Sequence, residues 1–529
     1  MTASQGTTPF VNSLHKRVDG PIQCGPGSPC KDNSCCGPEG KCGYKEHNCG
    51  AGFTSNCDAK AMCGIDSADG ATPCGLNFCC SYYGWCGTED VHCYDPEPQY
   101  GKTPCQKGFG SCQMYPSPSC SGRSASTGRR VGYYQGWNVH DRKCDKVSPS
   151  QINIKGLTHL FWSFVFFHPT TYAIEPMNAA DPPMYCEVTN LATNGLETWV
   201  AVGGWSFSDP GDYHTAWSDM CATASGRAKF ITSLISFMDE YGFTGANLDW
   251  EYPGDAKRRG RPEDADNLVL LVKEMKAAFG GRYGLSLTLA LDYWYLRGFK
   301  PRAMQDYVDF MGFMSYGLHG PWDTEVKALG SIVRPQTDIT EIYRNFKPLW
   351  FDGVDPSKIN MGLAYYGRTY TLTDASRGTM GECGFDGPGA KGECTDSAGV
   401  LSNREIQSII KNEGLTPYLN ETAMVKYVTY AGNSWVGYDD EETLAMKESF
   451  ANSLCLGGLM IWSLTLQATA GHSRETREPI WTSSGCHPRS GTSQSRRFTA
   501  CFRALSFFRL SQASRRQRRI HPSQSPARA

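Results

Sequence analysis

From Arg130 onward, short apolar stretches alternate with longer amphipathic ones. The short stretches read as strands over Val131–Gln135, Leu157–Phe166, Thr198–Val202, Thr244–Glu251, Leu285–Leu291, Val308–Met314, Ile359–Ala364 and Gly458–Ser463. Helices are predicted between several of them. Ser225 is the expected cap of a helix over Gly226–Tyr241, and Glu263–Phe279 carries Leu268, Leu271, Val272, Met275 and Phe279 at helical spacing with Gly280 as its stop. Asp440–Leu454 is a third helix. Eight β-α alternations predict an α/β chain with a (β/α)8 TIM barrel, whose chemistry belongs at the C-terminal ends of the strands. The stretch from Arg368 to Asp439 is too long for one crossover and predicts an inserted α+β subdomain over about 368–440.

Upstream of Arg130 the pattern is different. Residues 1–20 are polar and aperiodic, and 21–116 hold almost no run able to form a helix or long strand. A Ser/Gly/Arg-rich linker follows over 117–128. Of the 24 cysteines, sixteen fall between Cys24 and Cys120. Such density predicts disulfide-stapled modules formed in an oxidising compartment. Zinc fingers want paired CxxC or CxxH ligands, whereas here Cys35-Cys36 and Cys79-Cys80 are adjacent. The cysteines also repeat. One copy, over 21–59, uses Cys24, Cys30, Cys35, Cys36, Cys42, Cys49 and Cys57; a second, over 60–116, uses Cys63, Cys74, Cys79, Cys80, Cys86, Cys93, Cys105 and Cys112.

Charge narrows the partners. The net formal charge is −2, which argues against nucleic acid. Ten arginines and no acid fall between His487 and Ala529, so 483–529 is expected to be a basic, disordered tail. The longest apolar run, near Leu157–Phe167, is too short to span a bilayer, so no membrane partner is expected. Met1–Asp19 lacks the apolar segment of a signal peptide, although the cysteines and the sequon at Asn420 point to secretion.

The densest chemistry lies in Phe243–Pro253. On a strand, Asn247, Asp249 and Glu251 share one face, roughly 6.5–7 Å apart per step of two. Inside a barrel, converging carboxylates raise each other's pKa, which suits one of them to general-acid cleavage of a glycosidic bond. The segment LDWEYP resembles the signature DxxDxDxE of glycoside hydrolase family 18, the family of many chitinases. GYYQGWN (132–138), WVAVGGWSF (199–207), MSYGLHGPWD (314–323), GLAYYGR (362–368) and GGLMIWS (457–463) resemble its other barrel motifs in order. The likeness spans about 129–482 and is nearest to the fungal class V, killer-toxin-like group. It implies a substrate-assisted, retaining hydrolysis of β-1,4 linkages in chitin that needs no cofactor or metal. Glu251 would protonate the leaving oxygen, Asp249 orient the substrate acetamide, and Tyr316 donate to that acetamide. Trp462 would floor the reacting sugar, with Trp205, Trp322, Tyr366, Arg368 and Tyr134 lining the groove.

The chain departs from that pattern. Thr244 and Asn247 stand where the signature has its first two Asp residues, and Gly317 where the family's MxYD motif has Asp. Asn247 is expected to donate to Asp249, but it cannot exchange a proton.

The doublet-cysteine repeat resembles hevein-type (type 1) chitin-binding modules. In the second copy Ser81, Tyr83, Trp85 and His92 match the sugar-binding serine and aromatics. In the first, Glu39 and Lys41 replace both stacking rings and Phe53 replaces a cysteine, which implies a degenerate spacer. The whole reads as a secreted, monomeric chitinase acting on chitin and chito-oligosaccharides. The alternatives are a catalytically weak or inactive chitin-binding lectin or effector, and a toxin subunit that docks on chitin.

Overall fold

The computed structural model describes residues 24–25, 27–30, 33–50, 52, 54–94, 105–193, 195–326 and 329–467. The expectations for the leader, for Phe53 and for the basic tail lie outside the described residues. The chain divides into two compact units: Met1–Ser117 with Thr324–Gly330 and Phe346–Val354, and Pro118–Asp323 with Ser331–Asn345 and Asp355–Ala529.

In the first unit, cysteine chemistry replaces a hydrophobic core. Each repeat folds around one two-residue hairpin, Cys35–Cys36 on Cys42–Gly43 and Cys79–Cys80 on Cys86–Gly87. Both repeats use the same pairing. The first has Cys24–Cys36, Cys30–Cys42 and Cys35–Cys49; the second has Cys63–Cys80, Cys74–Cys86 and Cys79–Cys93, followed by Cys105–Cys112. The adjacent cysteines are therefore spent on disulfides, each reaching to opposite sides of its hairpin.

The second unit is built on eight strands: β1 Arg129–Gln135, β2 His159–Phe167, β3 Glu197–Gly203, β4 Gly245–Asp249, β5 Gly284–Leu289, β6 Phe310–Phe313, β7 Ile359–Ala364 and β8 Gly458–Trp462. Each pairs in parallel with its sequence neighbours, and β8 pairs with β1, so the sheet closes into a TIM barrel. All eight strands predicted from the sequence are present. The helices also fall where expected, with one correction. Helix Ala224–Tyr241 starts earlier than its apolar pattern indicates, because Thr223 rather than Ser225 caps it: Thr223 Oγ1 accepts from Gly226 N at 3.0 Å. Gly280 closes Asp264–Phe279 at φ 56°, and the Asp440 side chain caps Glu441–Ser453.

The insertion is a six-stranded antiparallel sheet carrying helix Asn403–Glu413. It opens with Tyr366–Leu372, right after β7, and packs one face around Tyr370, Phe385 and Trp435 and the other around Ile406, Val428 and Tyr438. Cys144–Cys394 ties it to the segment after β1. The predicted linker is held in place: Cys120 is bonded to Cys455, Ser124–Thr127 forms one helical turn, and Ser126 N donates to Asn452 Oδ1 at 3.0 Å.

At the N-terminal end of the barrel, Trp199 stacks between Phe161 (5.3 Å, 10°) and Phe310 (5.4 Å, 24°). Gly245 and Gly284 make room for the indole, since a Cβ on either would stand 2.4 and 2.0 Å from its ring atoms. Overpacking of a closed core costs about 1–3 kcal/mol. Gly284→Ala should therefore lower the unfolding free energy by that amount, seen as a lower denaturant midpoint at unchanged m-value. An unshifted midpoint would mean that the ring has room to move.

Candidate active site

The site begins with the alternation of β4. Trp250 points outward and stacks on Trp217 at 5.5 Å, beneath helix Ala216–Cys221. Asp249 and Asn247 of β4 face the opposite way. Glu251, two residues past the strand, lies on that same side, where its charge raises the pKa of the Tyr133 and Tyr316 phenols. That face is the barrel lumen, because Tyr133 of β1 donates its hydroxyl to Asn247 Oδ1 at 3.2 Å although β1 and β4 are not adjacent strands. All three acidic-strand residues are buried.

Burial, and then the Glu251 charge, hold the Asp249 carboxyl well above the usual carboxylate range. Its Oδ1 has no hydrogen-bond partner among the described residues. The expected bond from Asn247 is not made. Asn247 Nδ2 donates to Ser286 Oγ at 3.0 Å, while its Oδ1 accepts from Thr288 Oγ1 as well as Tyr133. The β5 hydroxyls and Tyr133 thus use the amide that the sequence assigned to Asp249.

Around the acids stand hydroxyl and ring groups. Burial, and then neighbouring Tyr133, raise the Tyr316 phenol well above its ordinary range, with smaller contributions from Tyr366, Asp249 and Glu251, so it stays a donor. Tyr366 lies 6.4 Å from Tyr316, ring to ring, and Arg368 stacks over both Trp322 (4.7 Å) and Tyr366 (5.4 Å). Trp462 ends β8 inside a cage of Tyr133 (5.5 Å), Phe164 (5.7 Å) and Trp137 (6.0 Å). The peptide bonds after Ser163, within β2, after Glu251, two residues past β4, and after Trp462, the last residue of β8, are cis.

One predicted lining residue is misplaced by a single position. Tyr134 points away from the lumen: its hydroxyl donates to Val147 O at 2.7 Å and its ring packs on Trp162. Tyr133 takes the lumen face instead. In the first unit, Ser81 is buried, and its Oγ accepts from Trp85 N at 3.1 Å. Tyr83 and Trp85 are half-buried, and His92 packs against Gly87.

Residues 129–467 match the glycosyl hydrolases family 18. The chain belongs to that family. "Probable chitinase 10" of Drosophila melanogaster is 30% identical over 354 residues, 64% of this chain but 15% of the relative's length. The chain spans a quarter or less of the first relatives it matches. Among solved structures, catalytic domain 2 of the Ostrinia furnacalis Group II chitinase superposes with TM-score 0.57 at 26% identity, covering 64% of this chain and 90% of that one. Human YKL-39, described as a pseudo-chitinase with retained chitooligosaccharide binding, gives TM-score 0.56 at 25% identity, covering 64% and 93%.

Several residues of this family 18 site carry no motif signal. Arg258 donates from Nε to Glu251 O at 2.5 Å, bonds Trp205 O and Asp209, and lies 3.7 Å over the Trp205 ring. It therefore ties Trp205 to the acidic strand. Gln336 accepts from Gly317 N at 3.2 Å and donates to Tyr366 O at 2.8 Å. Gly317 itself sits at φ 70°, a conformation that favours glycine over the Asp of the family motif.

Beneath this loop His319 is buried between Asp323 (2.7 Å) and Glu341 (2.7 Å), with Arg334 at 3.7 Å from Asp323. Burial disfavours the imidazolium, but the two carboxylates outweigh it and push its pKa up to about 9. A pKa raised by folding contributes stability below the unfolded value of about 6.5 and loses it as pH rises through the folded one. Stability should fall by roughly 3 kcal/mol between pH 6.5 and 9. His319→Gln should flatten that segment of a chemical-denaturation pH profile; an unchanged slope would assign the loss elsewhere.

Proposed function

We propose that the chain is a secreted chitinase that hydrolyses β-1,4 linkages between N-acetylglucosamine units, with retention and with the substrate's own acetamide as nucleophile. The observation that carries this reading is the pair Asp249 and Glu251, buried on one lumen face at the end of β4 beside Tyr316 and the Trp462 cage. Glu251 acts as general acid on the leaving oxygen. The acetamide carbonyl attacks the anomeric carbon, giving an oxazolinium ion that water opens as Glu251 turns base. Asp249 orients the acetamide, Tyr316 donates to its oxygen, and Trp462 supports the apolar face of the sugar. Trp205, Trp322, Tyr366 and Arg368 line neighbouring positions, and the insertion walls the groove. Similarity to insect and fungal proteins named as chitinases supports the substrate class. Disulfides in both units fit an oxidising, extracellular setting.

A second reading is favoured by one specific observation. With Asn247 engaged by Ser286, Tyr133 and Thr288, Asp249 Oδ1 has no hydrogen-bond partner among the described residues, so the acetamide-orienting group is less firmly held. A site of this kind binds chito-oligosaccharides and turns them over slowly or not at all. Turnover of a defined chito-oligosaccharide separates the two readings. In an active parent, Glu251→Gln should lower kcat by about 10²–10⁴-fold, the usual contribution of a general acid, while oligosaccharide affinity stays nearly constant. Wild-type turnover in that variant would remove Glu251 from the mechanism. A silent parent that still binds would leave the lectin-like reading.

The barrel is read as belonging to the fungal class V, killer-toxin-like group, and the cysteine repeats as hevein-type (type 1) chitin-binding modules, with the second as the binder. The three disulfides that recur in the same order in both repeats, and half-buried Tyr83 and Trp85, support the reading of the repeats. Trp85→Ala should weaken adsorption of the full chain to insoluble chitin by about 1–3 kcal/mol, typical of a stacked ring, without slowing cleavage of short soluble oligomers. Unchanged adsorption would move the platform off Trp85.

A further inference from the structure

The first repeat has lost both ring positions of its hairpin loop. Glu39 and Lys41 occupy them and pair with each other at 2.7 Å in an exposed salt bridge. On that evidence alone it is a spacer. Yet the residue that follows its hairpin, Tyr44, lies against Trp85 of the second repeat, with ring centroids 5.2 Å apart and planes at 57°. The equivalent position of the second repeat, after Cys86–Gly87, is Thr88. The ring at 44 is therefore not a feature of the repeat but of the joint between the two copies.

The next residue fastens that joint. Lys45 Nζ is 2.6 Å from the Asp66 carboxylate and 4.5 Å over the Tyr82 ring. Both members of the ion pair are largely shielded from water, at 14 and 18% side-chain exposure, so solvent and salt screen it less than a surface pair. Tyr82 in turn meets Tyr83 edge-on at 5.2 Å. The loop that carries Tyr83 and Trp85 is thus held from the first repeat at two points, by Tyr44 on one ring and by Lys45 on another.

We propose that the two repeats form one composite carbohydrate platform, in which Tyr44 extends the surface of Tyr83 and Trp85 for a run of β-1,4-linked N-acetylglucosamine. The inference rests on the chitin-binding reading of the second repeat. Trp85 remains partly exposed with Tyr44 against it, so Tyr44 flanks the indole without closing it off. Two rings inclined at 57° make a corner rather than a flat shelf. One sugar stacks on the indole through its apolar face, and the phenol meets the next residue of the chain. The degenerate repeat keeps its disulfides because it has to present Tyr44 and Lys45 in register, a task that needs the fold but not its own binding rings.

The test is adsorption of the full chain to insoluble chitin, together with titration by soluble tri- and tetra-N-acetylchito-oligosaccharides. Tyr44→Thr borrows the residue that the second repeat tolerates at the same place, and Tyr44→Phe keeps the ring. Tyr44→Thr should weaken binding about tenfold, and more for the tetramer than for the trimer; Tyr44→Phe should stay within about twofold of the parent. Lys45→Met should also weaken binding, with all disulfides intact by thiol titration. Glu39→Gln is the control on the exposed side and should change nothing. Unchanged binding in both Tyr44→Thr and Lys45→Met, where Trp85→Ala weakens it, would overturn the composite platform and leave the second repeat as sole binder. Tighter binding in Tyr44→Thr would also overturn it, by making the phenol a cover. A parent that adsorbs no chitin would overturn this inference and the chitin-binding reading together.

Discussion

A buried carboxyl group placed next to a second one resists ionisation, and the barrel is organised around that resistance. Asp249 is held well above the ordinary carboxylate range by burial first and by Glu251 second. A closed sheet supplies such a place while its strands pair one another's backbone groups. The outward Trp250, stacked on Trp217, fixes which way β4 faces, so one aromatic contact on the outside determines the polarity of the inside. The phenols of Tyr133 and Tyr316, their own protons held by the same burial, supply donors that do not compete for charge.

Much of this was legible in the chain because it rests on periodicity. Strand alternation and β-α spacing located all eight barrel strands, and the length of the seventh-to-eighth gap announced the insertion. What escaped shares a different cause. Tyr133 and Tyr134 are adjacent identical residues, and no local pattern in β1 says which one falls on the lumen side; the cross-barrel bond to Asn247 does. Thr223 and Ser225 are both competent caps, and the choice depends on where the preceding backbone turns out of helical conformation. Arg258 and Gln336 act through backbone carbonyls and amides brought together by loops, which leave no spacing signature. Asn247 was readable as a departure from the family pattern, but not the hydroxyls of Ser286 and Thr288 that use its amide.

The departures at 247 and 317 also look different once placed in space. Gly317 is not simply a missing carboxylate: at φ 70° its amide is bound by Gln336, which also holds the carbonyl of Tyr366. The loop has settled on an arrangement in which an amide side chain bridges what a motif aspartate would otherwise approach. An altered residue and its new partners therefore form one local solution, and restoring a single side chain does not restore the surroundings that suited it.

The bond between Cys120 and Cys455 has a consequence for how the barrel comes apart. A closed sheet of eight strands has one junction where the first strand meets the last, here Arg129 opposite Gly458. Nothing in the chain's own connectivity spans that junction, so it is where a cylinder would be expected to unzip. The disulfide sits just ahead of both strands and joins residues 335 apart in sequence. The polypeptide from the start of β1 to the start of β8 is thereby part of a covalent ring, so the two strands stay tethered at the N-terminal end of the seam even where their hydrogen bonds open.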